Sequence, residues 1–136
     1  MKSKDRERLL REAALAKVQS YSPYSKFRVG AGVLLKNGEV IVGANIENAS
    51  YPCCICAERS ALASVYSKGY RKEDILAIAI SGDTKDFITP CGMCCQVMSE
   101  LMDGECSVFL LNSKNEVKEL KVKKLLPYSF SMDGNK

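Results

Sequence analysis

Ile75-Leu76-Ala77-Ile78-Ala79-Ile80, followed after Thr89-Pro90 by Cys91-Gly92-Met93-Cys94 and then by Cys106-Ser107-Val108-Phe109-Leu110-Leu111, is the stretch on which the fold turns. The first run reads as a buried strand before a Ser81-Gly82-Asp83 turn, Cys91 to Met102 as a helix, and Cys106 to Leu111 as a further strand. Upstream, Cys56 to Tyr66 carries Ala57, Ala61, Leu62, Ala63 and Val65, which suits a tightly packed helix. Val29 to Leu35 and Val40 to Ala44 are apolar runs joined by Lys36-Asn37-Gly38-Glu39, a hairpin turn that pairs them antiparallel. Asp5 to Gln19 places Leu9, Leu10, Ala13, Ala14, Ala16 and Val18 at near-helical spacing, and Tyr21-Ser22-Pro23 stops that amphipathic helix. Downstream, Val117 to Val122 is a fifth strand, and Leu125-Leu126-Pro127 ends the regular structure. The order predicts an α/β fold, a mixed five-stranded sheet in a three-layer α/β/α sandwich. No linker, repeat or low-complexity tract divides residues 1–136, so one domain is expected, large enough to bury roughly 68% of its unfolded surface.

Twenty Lys and Arg against sixteen Asp and Glu give a net charge of +4. The basic residues, in Lys2 to Arg11, Arg71-Lys72 and Lys118 to Lys124, are mostly interleaved with acids or apolar residues, which reads as solvated faces and argues against a nucleic-acid surface. The longest uncharged window, Phe87 to Ser99, is too short and polar to span a bilayer, and Met1 to Arg6 is charged where a signal core would be apolar. A cytoplasmic location without membrane contact is the expectation. In that reducing compartment the seven cysteines are expected to be metal ligands or buried thiols. With no histidine in the chain, a transition-metal site must be built from thiolates or carboxylates.

Both cysteine clusters fall where an irregular segment enters a helix, whose free N–H groups and positive dipole end stabilise thiolates. Cys91 and Cys94 share one helical turn and can face one metal, and Cys56 can supply a third sulfur. That donor set points to zinc ahead of iron–sulfur or copper. Three ligands leave an open, catalytic position; a fourth cysteine would close the site and make it structural. Glu58, two residues beyond Cys56, is placed either as a general acid/base beside the metal site or as a first-turn glutamate satisfying the helix dipole.

Asn45-Ile46-Glu47-Asn48-Ala49-Ser50-Tyr51, Cys56-Ala57-Glu58-Arg59 and Pro90-Cys91-Gly92-Met93-Cys94 together resemble the small homo-oligomeric cytidine deaminases. Tyr21-Ser22-Pro23-Tyr24-Ser25-Lys26-Phe27 with Val29-Gly30-Ala31, and Leu125-Leu126-Pro127 with Phe130, resemble that family's terminal signatures, so the likeness covers nearly the whole chain. The resemblance implies one zinc per chain on Cys56, Cys91 and Cys94, with Glu58 moving protons as water replaces the amino group of cytidine or 2'-deoxycytidine. It further implies that Ala57 offers its backbone to the base, that Phe27 packs near the ring, and that Asn45 and Glu47 bind ribose hydroxyls. Asn48, Ala49, Tyr51 and Phe130 join the substrate-binding set, the last of these and part of Ala49 to Tyr51 serving the neighbouring chain of a homotetramer with shared sites.

One departure stands out. The family usually has arginine after the last zinc cysteine, whereas this chain has Cys95. Arg59 remains as a guanidinium able to donate to a ligand sulfur, which implies a more electron-rich site. Cys95 as a fourth ligand is disfavoured, because adjacent helical residues point about 100° apart. Cys106 is expected as a buried thiol, and Cys53 and Cys54 as packing residues. Phe27 and Phe130 could equally be core residues, and Asn45 with Glu47 a solvated strand edge. The rival functions are deamination of another aminated ring, such as blasticidin S, a structural zinc module, and a thioredoxin-like reading of Cys91 and Cys94.

Overall fold

The computed structural model describes residues 1–132. Five strands, β1 (Val29–Leu35), β2 (Val40–Ala44), β3 (Ile75–Gly82), β4 (Ser107–Leu111) and β5 (Val117–Lys121), form one sheet in the order β2-β1-β3-β4-β5. Neighbours are antiparallel except β3 and β4, which run parallel because the chain crosses between them through a helix. That helix is α3 (Gly92–Leu101); the others are α1 (Ser3–Ala16), α2 (Ala57–Ser67) and the four-residue α4 (Val122–Leu125).

Successive strand residues face opposite layers, and both layers are covered, which is why the strands read as continuous apolar runs. On one face, Leu9 and Ala13 of α1 pack on Leu34, Ala77, Ala79, Phe109 and Leu111. On the other, Ala57, Ala61, Leu62 and Val65 of α2 and Met98 of α3 pack on Ala31, Val33, Ile78, Ile80, Val108 and Leu110. The small residues of α2 let it approach β2 closely. A Cβ at Gly43 would sit 2.5 Å from the Ala61 nitrogen and 3.0 Å from the Ala57 carbonyl, so helix and strand touch backbone to backbone.

Three boundaries differ from the sequence reading. The first helix is α-helical only to Ala16 and tightens into a 3₁₀ turn over Lys17–Gln19. Ser81 and Gly82 are strand, paired with Gly30 and Val29, where a turn was expected. Val122 is buried and opens α4 instead of closing β5; its N–H donates to the Cys106 carbonyl and that of Lys123 to Gly104. Among the described residues no helix is long and apolar enough to cross a membrane.

Asp83, just after β3, accepts from Arg28 Nε at 2.9 Å and pairs with Lys17 Nζ at 3.2 Å, joining three segments at one end of the sheet. Burial pushes its carboxyl up, but the hydrogen bonds and charges of Arg28 and Lys17 outweigh that and hold it below the usual carboxylate range. A carboxylate depressed in the folded state contributes stability that is present above its unfolded pKa, about 3.9, and is lost as pH falls through the folded value. The Asp83 side chain is 29% exposed, so Asp83→Asn should cost only about 0.2–1 kcal/mol near neutrality. Thermal melts of both proteins from about pH 7 down to about pH 3 should show that difference close as the wild-type carboxylate protonates.

Candidate active site

Two helix N-termini converge on one spot. Cys56 is the N-cap of α2 and Cys91 the N-cap of α3, both with extended backbones, and the Cys91 side chain turns back to cap its helix. Cys91 Sγ accepts from the Cys94 N–H at 3.5 Å, which sets the two sulfurs of that turn side by side. The Cys56 and Cys91 sulfurs lie 4.0 Å apart, those of Cys91 and Cys94 3.4 Å apart, and all three within 4.8 Å of one another. Tetrahedral zinc–sulfur bonds of about 2.3 Å place ligand sulfurs about 3.8 Å apart, so the triangle has the dimensions such an ion requires.

The protons in this triangle are unevenly held. Hydrogen bonding from Cys94 brings the Cys56 thiol down to about 6 against the effect of burial, with help from Cys91 and the Arg59 charge. Cys94 moves the other way, pushed up by the hydrogen bond it gives Cys56 and by burial. Cys95 takes no part: its buried thiol donates to the Pro90 carbonyl at 3.3 Å, away from the triangle, and burial pushes it up. Three sulfurs, with Cys95 turned aside, are one fewer than a closed four-ligand site uses.

Glu58 stands in the first turn of α2 and is only 5% exposed. Burial pushes its carboxyl up and the Cys56 charge adds to that, against its own backbone N–H, Cys94 and Arg59. A carboxyl raised in this way can hold and release a proton nearer neutral pH than an exposed one. Glu58, Cys56, Ala57 and Cys91 line a cleft of about 320 Å³.

Asn45, Glu47 and Tyr51 line the same cleft, as does Phe27. Asn45 and Glu47 do share one side, but neither is a free solvated edge. Asn45 Oδ1 accepts from Ser20 Oγ at 2.5 Å and from Val29 N at 2.9 Å, while Nδ2 donates to the Phe27 carbonyl at 2.8 Å. Glu47 Oε1 accepts from the Tyr24 and Ser25 N–H groups at 3.0 and 3.1 Å, and Oε2 from the Ser25 hydroxyl. Hydrogen bonding from Ser25 is the largest influence on Glu47 and holds its carboxyl below the usual range.

Other positions fall elsewhere. Asn48 and Ala49 are exposed outside the cleft; Asn48 Oδ1 accepts from Ser50 N at 2.8 Å, and its own N–H meets Cys54 Sγ at 3.3 Å. Phe130 is 64% exposed beside α3, where Gln96 Nε2 donates to its carbonyl at 3.1 Å, and it does not reach the cleft of its own chain. Arg59 donates to Met93 Sδ at 2.9 Å and not to a cysteine sulfur, so its influence on Cys56 is exerted through its charge. Cys53 is exposed and Cys54 lines the cleft, so neither is core packing, whereas Cys106 is the expected buried thiol, donating to the Ile75 carbonyl at 3.4 Å.

Sequence reasoning missed the apolar wall. A Cβ at Gly82 would lie 2.8 Å from Ile88 Cδ1 and 3.4 Å from Phe27 Cζ, so the glycine lets both side chains close over the strand end. Alternation along β3 would have placed Ile80 in this wall had the strand been extended to Gly82.

The family described as "Cytidine and deoxycytidylate deaminase zinc-binding region" matches residues 3–110. A cytidine deaminase of Halalkalibacterium halodurans is 49% identical over 129 residues, which span 95% of this chain and 96% of that protein. One from Sporosarcina psychrophila is 43% identical, over 95% of this chain and 93% of its own. The crystal structure of cytidine deaminase from Burkholderia pseudomallei superposes with a TM-score of 0.89 at 42% identity, covering 96% of this chain and 100% of that one. With its three-thiol triangle and buried glutamate set inside the matched region, the chain belongs to the cytidine and deoxycytidylate deaminase zinc-binding family.

Proposed function

We propose that the chain is a zinc-dependent hydrolase that converts cytidine and 2'-deoxycytidine to uridine and 2'-deoxyuridine with release of ammonia. The observation that carries this reading is the buried Glu58 beside the Cys56, Cys91 and Cys94 sulfurs in a cleft that Asn45 and Glu47 also line. Cys56, Cys91 and Cys94 would hold zinc, which would supply the Lewis acidity that makes water a nucleophile near neutral pH. Everything else is the work of side chains.

Glu58 takes one proton from water as the C4–O bond forms and delivers it to N3, then takes the second from the new C4 hydroxyl and passes it to the amino group as the C4–N bond breaks and ammonia leaves. Its burial suits this, because a raised carboxyl binds the proton firmly enough to carry it. The Ala57 backbone faces the base, Phe27 packs on the ring, and Asn45 and Glu47 take ribose hydroxyls. Glu47 is kept ionised by Ser25, so its charge disfavours a phosphate in the same cleft and the enzyme prefers nucleosides to nucleotides.

The same reading gives a cytoplasmic homotetramer of single-domain chains, each site completed by a neighbour. Its support is that Tyr51, at the cleft, is 85% exposed and that the Phe130 ring stands outside its own cleft. Asn48 and Ala49 would act in the same shared surface.

Three outcomes follow. Glu58→Gln should keep one zinc per chain while losing about 10²–10⁴ in kcat, measured as ammonia release from cytidine; full activity would remove Glu58 from the chemistry. Cys94→Ser should lose zinc on dialysis and Cys95→Ser should retain it, as metal analysis of the two proteins reads directly. Dilution below the assembly's dissociation constant should abolish turnover while circular dichroism stays native, and an active monomer in analytical ultracentrifugation would exclude shared sites.

A further inference from the structure

The segment Tyr21–Phe27 lies between the 3₁₀ turn and β1 and brings Phe27 to the cleft. Its start is pinned by backbone: Tyr21 N donates to the Asn45 carbonyl at 3.0 Å, and Glu47 N to the Tyr21 carbonyl at 2.8 Å. Its far end is reached through Lys26, whose φ of +62° is a left-handed conformation that side-chain-bearing residues avoid. A segment with such a residue needs outside contacts to keep one shape.

Ser25 supplies them. Its hydroxyl donates to Glu47 Oε2 and accepts from the Phe27 N–H at 3.0 Å, bridging across Lys26. Its own N–H and that of Tyr24 occupy Glu47 Oε1. A carboxylate has about four acceptor positions, so these three donors leave Glu47 room for about one more. The Ser25 bond also fixes which way that remaining lone pair points.

Resting on the reading of Glu47 as a sugar-binding residue, we propose that Ser25 is a positioning residue for nucleoside recognition: one hydroxyl orients the Glu47 carboxylate toward a single sugar hydroxyl and ties that orientation to the backbone of Phe27. Ser25 does not itself line the cleft. It acts through Glu47, so its removal should weaken recognition of the sugar and spare the chemistry at the base. The hydrogen bond it gives is also the largest contribution to keeping Glu47 ionised, against burial and together with the Ser25 and Tyr24 N–H groups and the Lys26 charge.

The test uses the zinc-loaded protein and compares cytidine with 2',3'-dideoxycytidine, which lacks the sugar hydroxyls, assayed as substrate or as competitive inhibitor. In Ser25→Ala, KM for cytidine should rise about tenfold with kcat nearly unchanged, and the preference for cytidine over the dideoxy compound should fall by about the same factor. Ser25→Thr, which keeps the hydroxyl, should restore both. A loosened fold would weaken both compounds alike, so the ratio separates positioning from general damage. Glu47→Gln is the internal reference. If it lowers the preference and Ser25→Ala does not, the inference about Ser25 is overturned and Glu47 keeps its role. If neither variant changes the ratio, the sugar-binding reading of Glu47 falls and takes the inference with it. Wild-type protein that releases no ammonia from cytidine would overturn the deaminase reading itself.

Discussion

Three sulfurs held within 4.8 Å of one another are the constraint on which the rest of this structure depends. Thiolates repel at that range, and a buried carboxylate next to them worsens the repulsion. The fold answers by bringing two helix N-termini to the same place, so that their unpaired N–H groups face the negative groups. α3 is there because it makes the crossover between the parallel strands β3 and β4; α2 is there because Gly43 lets it lie against β2 without an intervening side chain. Strand order and one missing methyl group thus fix where Cys56, Cys91 and Cys94 meet.

Charge compensation then has few other sources. Cys95 turns to the Pro90 carbonyl, and Arg59 spends a guanidinium N–H on the Met93 thioether. Arg59 still lowers Cys56 and Glu58 through its charge, but that effect acts at longer range than a direct N–H to sulfur bond and is screened more easily. At Glu58 itself, burial and the Cys56 charge outweigh Arg59. That environment favours the protonated carboxyl, which is the form a proton carrier must be able to reach.

Much of this was legible in the sequence for identifiable reasons. β1 and β2 have the bounds that their apolar runs and the Asn37-Gly38 turn imply, since both strands are covered and the hairpin is local. The separation of Cys95 from Cys94 follows from helical geometry alone. What escaped depends on contacts distant along the chain. Ser81 and Gly82 have turn composition yet become strand by pairing with Gly30 and Val29, and Val122, whose N–H still meets the Cys106 carbonyl, opens α4 as the Lys123 N–H turns to the Gly104 carbonyl. The Arg59 to Met93 contact spans thirty-four residues, and no local pattern announces it. Asn45 and Glu47 were visible as a motif, but their hydrogen bonds to Ser20, Ser25, Phe27 and Val29 were not.

Those last bonds change how the cleft should be understood. If Asn45 and Glu47 only waited for a ligand, their polar atoms would be hydrated in the free protein and binding would have to displace that water and freeze both side chains. Instead Asn45 has both its carbonyl lone pairs and one N–H engaged by its own chain, and Glu47 has three donors. Their conformational entropy is already lost on folding. That leaves one N–H of Asn45 and about one acceptor position of Glu47 without a bond to the described residues. The segment that carries Phe27 into the cleft therefore also holds Glu47, through Tyr24 and Ser25, and part of Asn45, through the Phe27 carbonyl, so the ring-packing wall and the polar wall share their supports.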